Sequence, residues 1–198
     1  MPKFDKAYYD RFYRDPHTRS STPQAAKKQA AFIAAYLRYL GVKIRSIADI
    51  GCGLGHTLRA LGRIYPNARC EGVEYSDYLC REYGWTQGSV AACTPATQAD
   101  LVVCNDVVAY LEDDEAAIAL KNLAQMSNRA LFFGALTTED WRMCDKQRTD
   151  RRQIQRPGVW YSKRLFEHFE PVGGGLYLKK PVGMVIWTLD GARQTPVK

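Results

Sequence analysis

The amino-acid sequence predicts an α/β protein: a doubly wound sheet of seven strands with helices on both faces and the last strand antiparallel. Three observations lead there. Short apolar runs alternate with amphipathic stretches between residues 24 and 136, the order that a parallel sheet with crossover helices requires. A glycine-rich turn, Gly51-Cys52-Gly53-Leu54-Gly55, separates the first apolar run from the helical stretch that follows it. Residues 175–179 and 182–189 read as a closing hairpin across Lys180-Pro181, and a hairpin reverses the strand direction.

Each element has its own signal. Residues 24–40 are rich in Ala and Leu, and Ala26, Ala30, Ile33, Leu37 and Leu40 fall on one helical stripe that Gly41 ends. Residues 44–50 form the first strand, and 56–64 resume helical spacing through Leu58, Leu61 and Ile64. A second strand at 70–75 precedes a brief helix near 76–83, and a third is weakly marked around 85–87. The fourth, 99–105, reads as a buried apolar run, as parallel strands covered on both faces tend to be. A helix at 112–125 turns Ala117, Leu120 and Leu123 inward, and 129–136 is the fifth strand. After Thr137 the chain becomes polar, basic and Trp-bearing as far as Pro157-Gly158. A helix at 162–169 leads into the hairpin. With no repeat and no long linker, residues 1–198 are expected to form one domain.

Composition narrows the class. The longest apolar runs, such as 101–104 and 184–187, are far short of the ~20 residues that span a bilayer, and no signal-like apolar stretch follows Met1. A cytoplasmic protein is the expectation. The six cysteines show neither CxxC nor zinc spacing, so reduced thiols and no metal are expected. Charge is uneven: residues 1–48 carry ten Lys/Arg against three Asp/Glu, 49–140 six against thirteen, and 141–198 twelve against five. The two basic segments are either solvated faces or two borders of one cleft that favours an anionic acceptor or a nucleic acid.

The chemistry is carried by Ile47-Ala48-Asp49-Ile50-Gly51-Cys52-Gly53-Leu54-Gly55-His56-Thr57. Glycines at alternate positions permit a tight turn, and the helix behind them presents free N–H groups and a positive dipole end. Asp49 with Gly51, Gly53 and Gly55 resembles motif I, D/E-x-G-x-G-x-G, of the class I S-adenosylmethionine (SAM)-dependent methyltransferases, with Cys52 and Leu54 in the variable slots. The resemblance implies a Rossmann-like fold with SAM as cofactor and S-adenosylhomocysteine (SAH) as product. It assigns Asp49, Gly51, Cys52, Gly53 and Gly55 to the methionine end of SAM. Glu74, in Gly72-Val73-Glu74-Tyr75-Ser76, takes the two ribose hydroxyls, with Tyr75 beside the adenine. Asn105 and Asp106, after the apolar fourth strand, lie near the SAM amino group or the acceptor. Where many relatives have Gly-Asp after the third strand, this chain has Gly88-Ser89, so Ser89 would meet the adenine amine with a weaker acceptor.

What the resemblance implies about the reaction is coarser. A hydroxyl or ammonium acceptor needs a general base, for which Asp106 and His168 are the candidates. Asp106 also reads as a helix N-terminal residue, His168 as a surface helix residue, and His56 as part of the SAM loop. Residues 1–23, with five aromatics between Phe4 and Tyr13, are a candidate lid over SAM. Residues 140–161 are a candidate acceptor-binding insertion. There Trp141, Trp160 and Tyr161 bracket Arg142, Arg148, Arg151, Arg152 and Arg156, which suit a small anionic acceptor or RNA and DNA phosphates. The expected function is methyl transfer to a small, anionic molecule. The alternatives are a nucleic-acid methyltransferase and a SAM- or nucleotide-binding protein without catalysis.

Overall fold

The computed structural model describes residues 4–92 and 98–186. The chain enters through a short helix, α1 (Lys6–Tyr9), which runs on into a π-helical turn at Asp10–Arg14. Then follow α2 (Pro23–Tyr39), β1 (Ser46–Ile50), α3 (His56–Ile64), β2 (Arg69–Glu74), α4 (Asp77–Tyr83), β3 (Thr86–Gln87) and β4 (Ala99–Asn105). After a 3-10 turn at Val108–Tyr110 come α5 (Asp113–Met126), β5 (Ser127–Gly134), α6 (Gly158–Leu165), β6 (Phe169–Gly173) and β7 (Leu176–Lys179). The seven strands lie in the order β3-β2-β1-β4-β5-β7-β6. Strands β1 to β5 pair in parallel, and β7 is antiparallel to both β5 and β6.

Two apolar layers hold the sheet. Side chains alternate along a strand, so Leu101 and Val103 of β4 face Ile33, Leu37, Leu58 and Leu61 of α2 and α3. Val102 and Cys104 face the other way, toward Leu120 and Leu123 of α5 and Leu165 of α6. Covering both faces is why β4 is apolar from Leu101 to Cys104. Helix starts follow local chemistry: Thr22 and Ser76 accept hydrogen bonds from the N–H groups of Ala25 and Leu79. Gly84 ends α4 in the left-handed conformation.

The closing hairpin differs in position from the sequence expectation. Its turn is Gly173-Gly174-Gly175, all with positive φ, and its strands are 169–173 and 176–179. Residues 182–186 form no strand, and 187–189 lie outside the described residues. Phe169, read as the end of a helix, is instead the fully buried first residue of β6. Helix α6 starts earlier because Pro157-Gly158, read as a break, serves as its N-terminal entry. In α5 the inward residues are Ala116, Ala119, Leu120 and Leu123, with Ala117 only partly covered.

The strand order reverses between β1 and β4, so the connections leaving them diverge and open a crevice at their carboxyl ends. The glycine turn sits in that crevice. Gly51 has φ +74°, and a Cβ there would lie 2.2 Å from a methyl carbon of Val107. Gly51→Ala is therefore expected to cost about 2 kcal/mol or more, combining backbone strain with overpacking. A urea midpoint unchanged from the parent would contradict this.

Candidate active site

Asp49, the penultimate residue of β1, is buried and accepts the backbone N–H of Leu58 in α3. Burial, and secondarily the nearby charge of Glu74, pushes its carboxyl up to about 7. Glu74 ends β2 and is also buried. Its Oε2 accepts the Gly53 N–H at 2.8 Å, and its Oε1 accepts the Ser76 N–H at 2.9 Å and the Tyr9 hydroxyl at 3.2 Å. One carboxylate thus ties the glycine turn to the start of α4 and to α1.

The three glycines do different jobs. A Cβ at Gly55 would lie 2.4 Å from Trp85, and one at Gly51 would strike Val107, so both are demanded by packing. Only at Gly53 does the space open, with Tyr13 alone nearby at 4.0 Å. Gly53 is where a ligand can approach the backbone. Its carbonyl accepts the Trp85 indole N–H at 3.0 Å, which fixes the turn from the far side.

Two adjoining cavities meet at this turn. The inner one, about 320 Å³, is bordered by Asp49, Gly53, His56, Asn105, Asp106 and Gln153. The other, about 70 Å³, is bordered by Glu74, Tyr75, Ser89 and Asp106 under Phe4 and Tyr9. Tyr8, Tyr13, Gly51, Gly53, Asn105, Asp106 and Tyr110 border both. Asp106 has φ +56°, a left-handed conformation that Asp tolerates better than most residues. Its carboxylate accepts the Asn105 side-chain N–H at 3.1 Å, and the residue is solvent-exposed. Desolvation by the surrounding protein nonetheless raises its carboxyl to about 6.

The structure therefore brings Asp49, Gly51, Cys52, Gly53, Glu74, Tyr75, Ser89, Asn105 and Asp106 around one cleft, while Gly55 packs beneath it. His56 borders the inner cavity, its basicity lowered by burial and then by Arg59. His168 is elsewhere. It directly precedes β6, which runs parallel to β5, so it lies at the amino-terminal edge of the sheet, away from the cleft.

Sequence reading missed a network that crosses the cleft. The Tyr110 hydroxyl donates to Asp150 Oδ2 at 3.2 Å, and the Tyr8 hydroxyl lies 3.0 Å from it. With its proton spent on Asp150, the Tyr110 oxygen accepts from Tyr8 and from Gln153 Nε2. Tyr8 belongs to α1 and Asp150 to the segment after β5, so the two basic stretches do border one cleft. Isolated Tyr and Asp residues 40 or more positions apart carry no periodic signal that would reveal this. The arginines of 140–161 are dispersed. Arg156 is buried, bonding Asp113 at 2.7 Å and the Leu111 carbonyl at 2.6 Å. Arg152 pairs with Asp150 at 2.9 Å. Arg142 and Arg148 are exposed, and Arg148 faces Asp145 at 3.7 Å.

Residues 48–127 match the family model described as a methyltransferase domain. That match covers 80 of the 198 residues, from β1 to the first residue of β5. Over 120 residues it is 28% identical to trans-aconitate 2-methyltransferase of Azoarcus sp. (strain BH72), covering 57% of this chain and 43% of that one. Over 83 residues it is 28% identical to 3-O-methylredipecamine 2-O-methyltransferase of Carapichea ipecacuanha, covering 40% and 23%. The chain thus spans less than half the length of these curated relatives. Among solved structures, magnesium protoporphyrin IX methyltransferase from Synechocystis with bound SAH has the same fold. Its TM-score is 0.60 at 19% identity, over 84% of this chain and 86% of that one. An O-methyltransferase family protein from Burkholderia thailandensis gives 0.56 at 17% identity, over 81% and 59%.

The Synechocystis enzyme has also been solved with SAM. The donor set fits it, with a buried carboxylate at the end of β2, an open Gly53 and a polar inner cavity on the methionine side. The ~70 Å³ beside Glu74 is well under the roughly 300 Å³ at which ligand cavities begin, with Phe4 and Tyr9 among the residues that border it. Among the described residues no cluster of His, Cys, Asp and Glu could hold a metal ion, and no helix is long and apolar enough to cross a membrane. Cys52, Cys70, Cys80, Cys104 and Cys144 are free thiols, and Cys93 lies outside the described residues.

Proposed function

We propose that this chain transfers a methyl group from SAM to a small, anionic molecule that occupies the inner cavity, as one unit in which α1 is a lid. The observation that supports it most is the cavity junction. Asp106 borders both the side facing Glu74 and the side facing Asp49 and Gly53, where cofactor and acceptor must meet. SAM supplies an electrophilic methyl on a sulfonium. The protein supplies alignment, a water-poor enclosure and a proton acceptor. Glu74 holds the ribose hydroxyls in exchange for that of Tyr9, and Tyr75 and Ser89 flank the adenine. Asn105 and the glycine turn hold the methionine end. Asp106, brought to about 6 by its surroundings, is ionised at neutral pH and removes the proton of the acceptor. The Phe4, Tyr8, Tyr9, Phe12 and Tyr13 rings exclude water above the cleft.

A small acceptor is favoured over a nucleic acid because the arginines of 140–161 do not form a continuous track. Arg156 is committed to the interior, and neither Arg142 nor Arg148 borders the cleft. The test is turnover of labelled SAM with small carboxylic acids, trans-aconitate among them, against phenols, amines and RNA. Transfer to RNA alone would refute the proposal.

The lid role yields a further expectation. Tyr110→Phe removes the hydroxyl on which Tyr8, Asp150 and Gln153 converge, and each bond is worth about 1 kcal/mol. The variant is expected to raise KM for SAM about tenfold with a smaller change in kcat, because α1 loses its tie to residue 150. Unchanged steady-state constants would deny the network a role in closure.

A further inference from the structure

A third concavity lies outside the inner cavity, a groove of about 830 Å³ between α1 with its π-helical turn and the segment 146–152. Tyr8, Phe12, Thr149 and Asp150 border both this groove and the inner cavity, so the two adjoin along these residues. Its charge is lopsided. Arg11, Lys146, Arg151 and Arg152 line it against two carboxylates, Asp5 and Asp150. Asp150 is answered by Arg152 at 2.9 Å, and Asp5 accepts the Tyr8 N–H at 3.1 Å as the cap of α1.

The other three cations have no ion-pair partner among the described residues. Two of them make other contacts. The Arg11 guanidinium lies 5.2 Å from the Phe12 ring centre, and Arg151 Nε donates to the Lys146 carbonyl at 3.4 Å. Three uncompensated cations around one concavity repel each other unless an anion sits between them.

We propose that this groove is the subsite for the anionic end of the acceptor. Arg11, Lys146 and Arg151 hold a carboxylate or phosphate group while the reactive atom reaches past Tyr8 and Thr149 toward Asp106. The inference rests on the methyltransferase reading and adds where the charge of the acceptor is read. Arg11 comes from the lid and Lys146 and Arg151 from the insertion, so the bound anion bridges two segments that otherwise meet through Tyr8, Tyr110 and Asp150. The acceptor thereby helps to close the lid over the cofactor. A neutral acceptor of the same shape lacks that tie.

The test is calorimetry on the whole protein at low ionic strength, saturated with SAH, titrated with tricarballylate and separately with pyrophosphate. SAH is titrated first into every sample. At least one probe is expected to bind, more weakly as salt is raised, and its preference tells carboxylate from phosphate recognition. Arg11→Gln, Lys146→Gln and Arg151→Gln are each expected to weaken the probe at least fivefold and leave SAH affinity within twofold. Arg142→Gln and Arg148→Gln, outside the groove, are expected to change neither. Equal weakening by all five substitutions, or tighter binding of a single-stranded RNA oligomer with the same uniform loss, overturns the subsite. So does the absence of binding by either probe at millimolar concentration while SAH binds. Failure of SAH itself to bind would instead overturn the methyltransferase reading.

Discussion

Asp106→Asn is expected to lower kcat by about 10²- to 10⁴-fold, the range in which a positioned general base contributes. The substitution isolates the proton-accepting role. Asn tolerates the left-handed backbone at φ +56° as Asp does, and its amide keeps the side-chain size. In the parent, kcat/KM is expected to rise with pH along a limb centred near 6, and the variant's residual rate should lack that limb. The stability effect has the opposite sign. Partial desolvation raises the folded-state pKa of the solvent-facing Asp106 above its ordinary 3.8, so proton uptake modestly favours the folded protein. That contribution is full below about pH 4 and lost as the pH rises through about 6. Asp106→Asn is therefore expected to raise Tm at pH 7 to 8 while abolishing most turnover. Full activity in the variant would remove Asp106 from the reaction.

Glu74→Gln is expected to weaken SAH by about 10- to 100-fold in calorimetry, the loss of charge-assisted acceptance by the ribose carboxylate. Each Glu74 oxygen already accepts a backbone N–H, from Gly53 and from Ser76. An amide must turn its own NH₂ toward one of those donors, so the glycine turn loosens as well. A lower Tm should accompany the weaker binding. Undiminished SAH affinity would show that the ribose is held elsewhere. The magnitude follows from one side chain serving both the fold and the ligand.

Much of this was legible in the chain. The strands β1 and β4 are marked by local apolar runs, and the Asp49 motif sits on consecutive residues, so sequence alone orders both. Glu74 is legible because it closes a strand within the same unit. The closing hairpin was misplaced because Gly173-Gly174-Gly175 and Lys180-Pro181 are equally good turns on local grounds. The choice between them is made by long-range packing, with Phe169 buried under β7 and Phe32 filling the space above Gly174. Tyr8, Tyr110, Asp150 and Gln153 were invisible for a related reason, since their meeting depends on three separate connections converging above the sheet. The five arginines misled in the other direction. Proximity in sequence made them one cluster, whereas folding buries Arg156, pairs Arg152 and parts Arg151 from Arg142 and Arg148.

Arg156 and its neighbours bear on how an enzyme of this kind diversifies. Thr137 and Arg156 form a bridge at the base of the loop between β5 and α6, and Arg156 is anchored inside by Asp113 and Leu111. The loop from 138 to 155 therefore leaves and rejoins the scaffold at one clamped neck. Between that neck and the ties of Asp150 and Gln153 to Tyr110, the stretch around Lys146 can change while both anchors keep their place. On the proposed function, substitutions in this loop are expected to alter acceptor preference more than cofactor affinity.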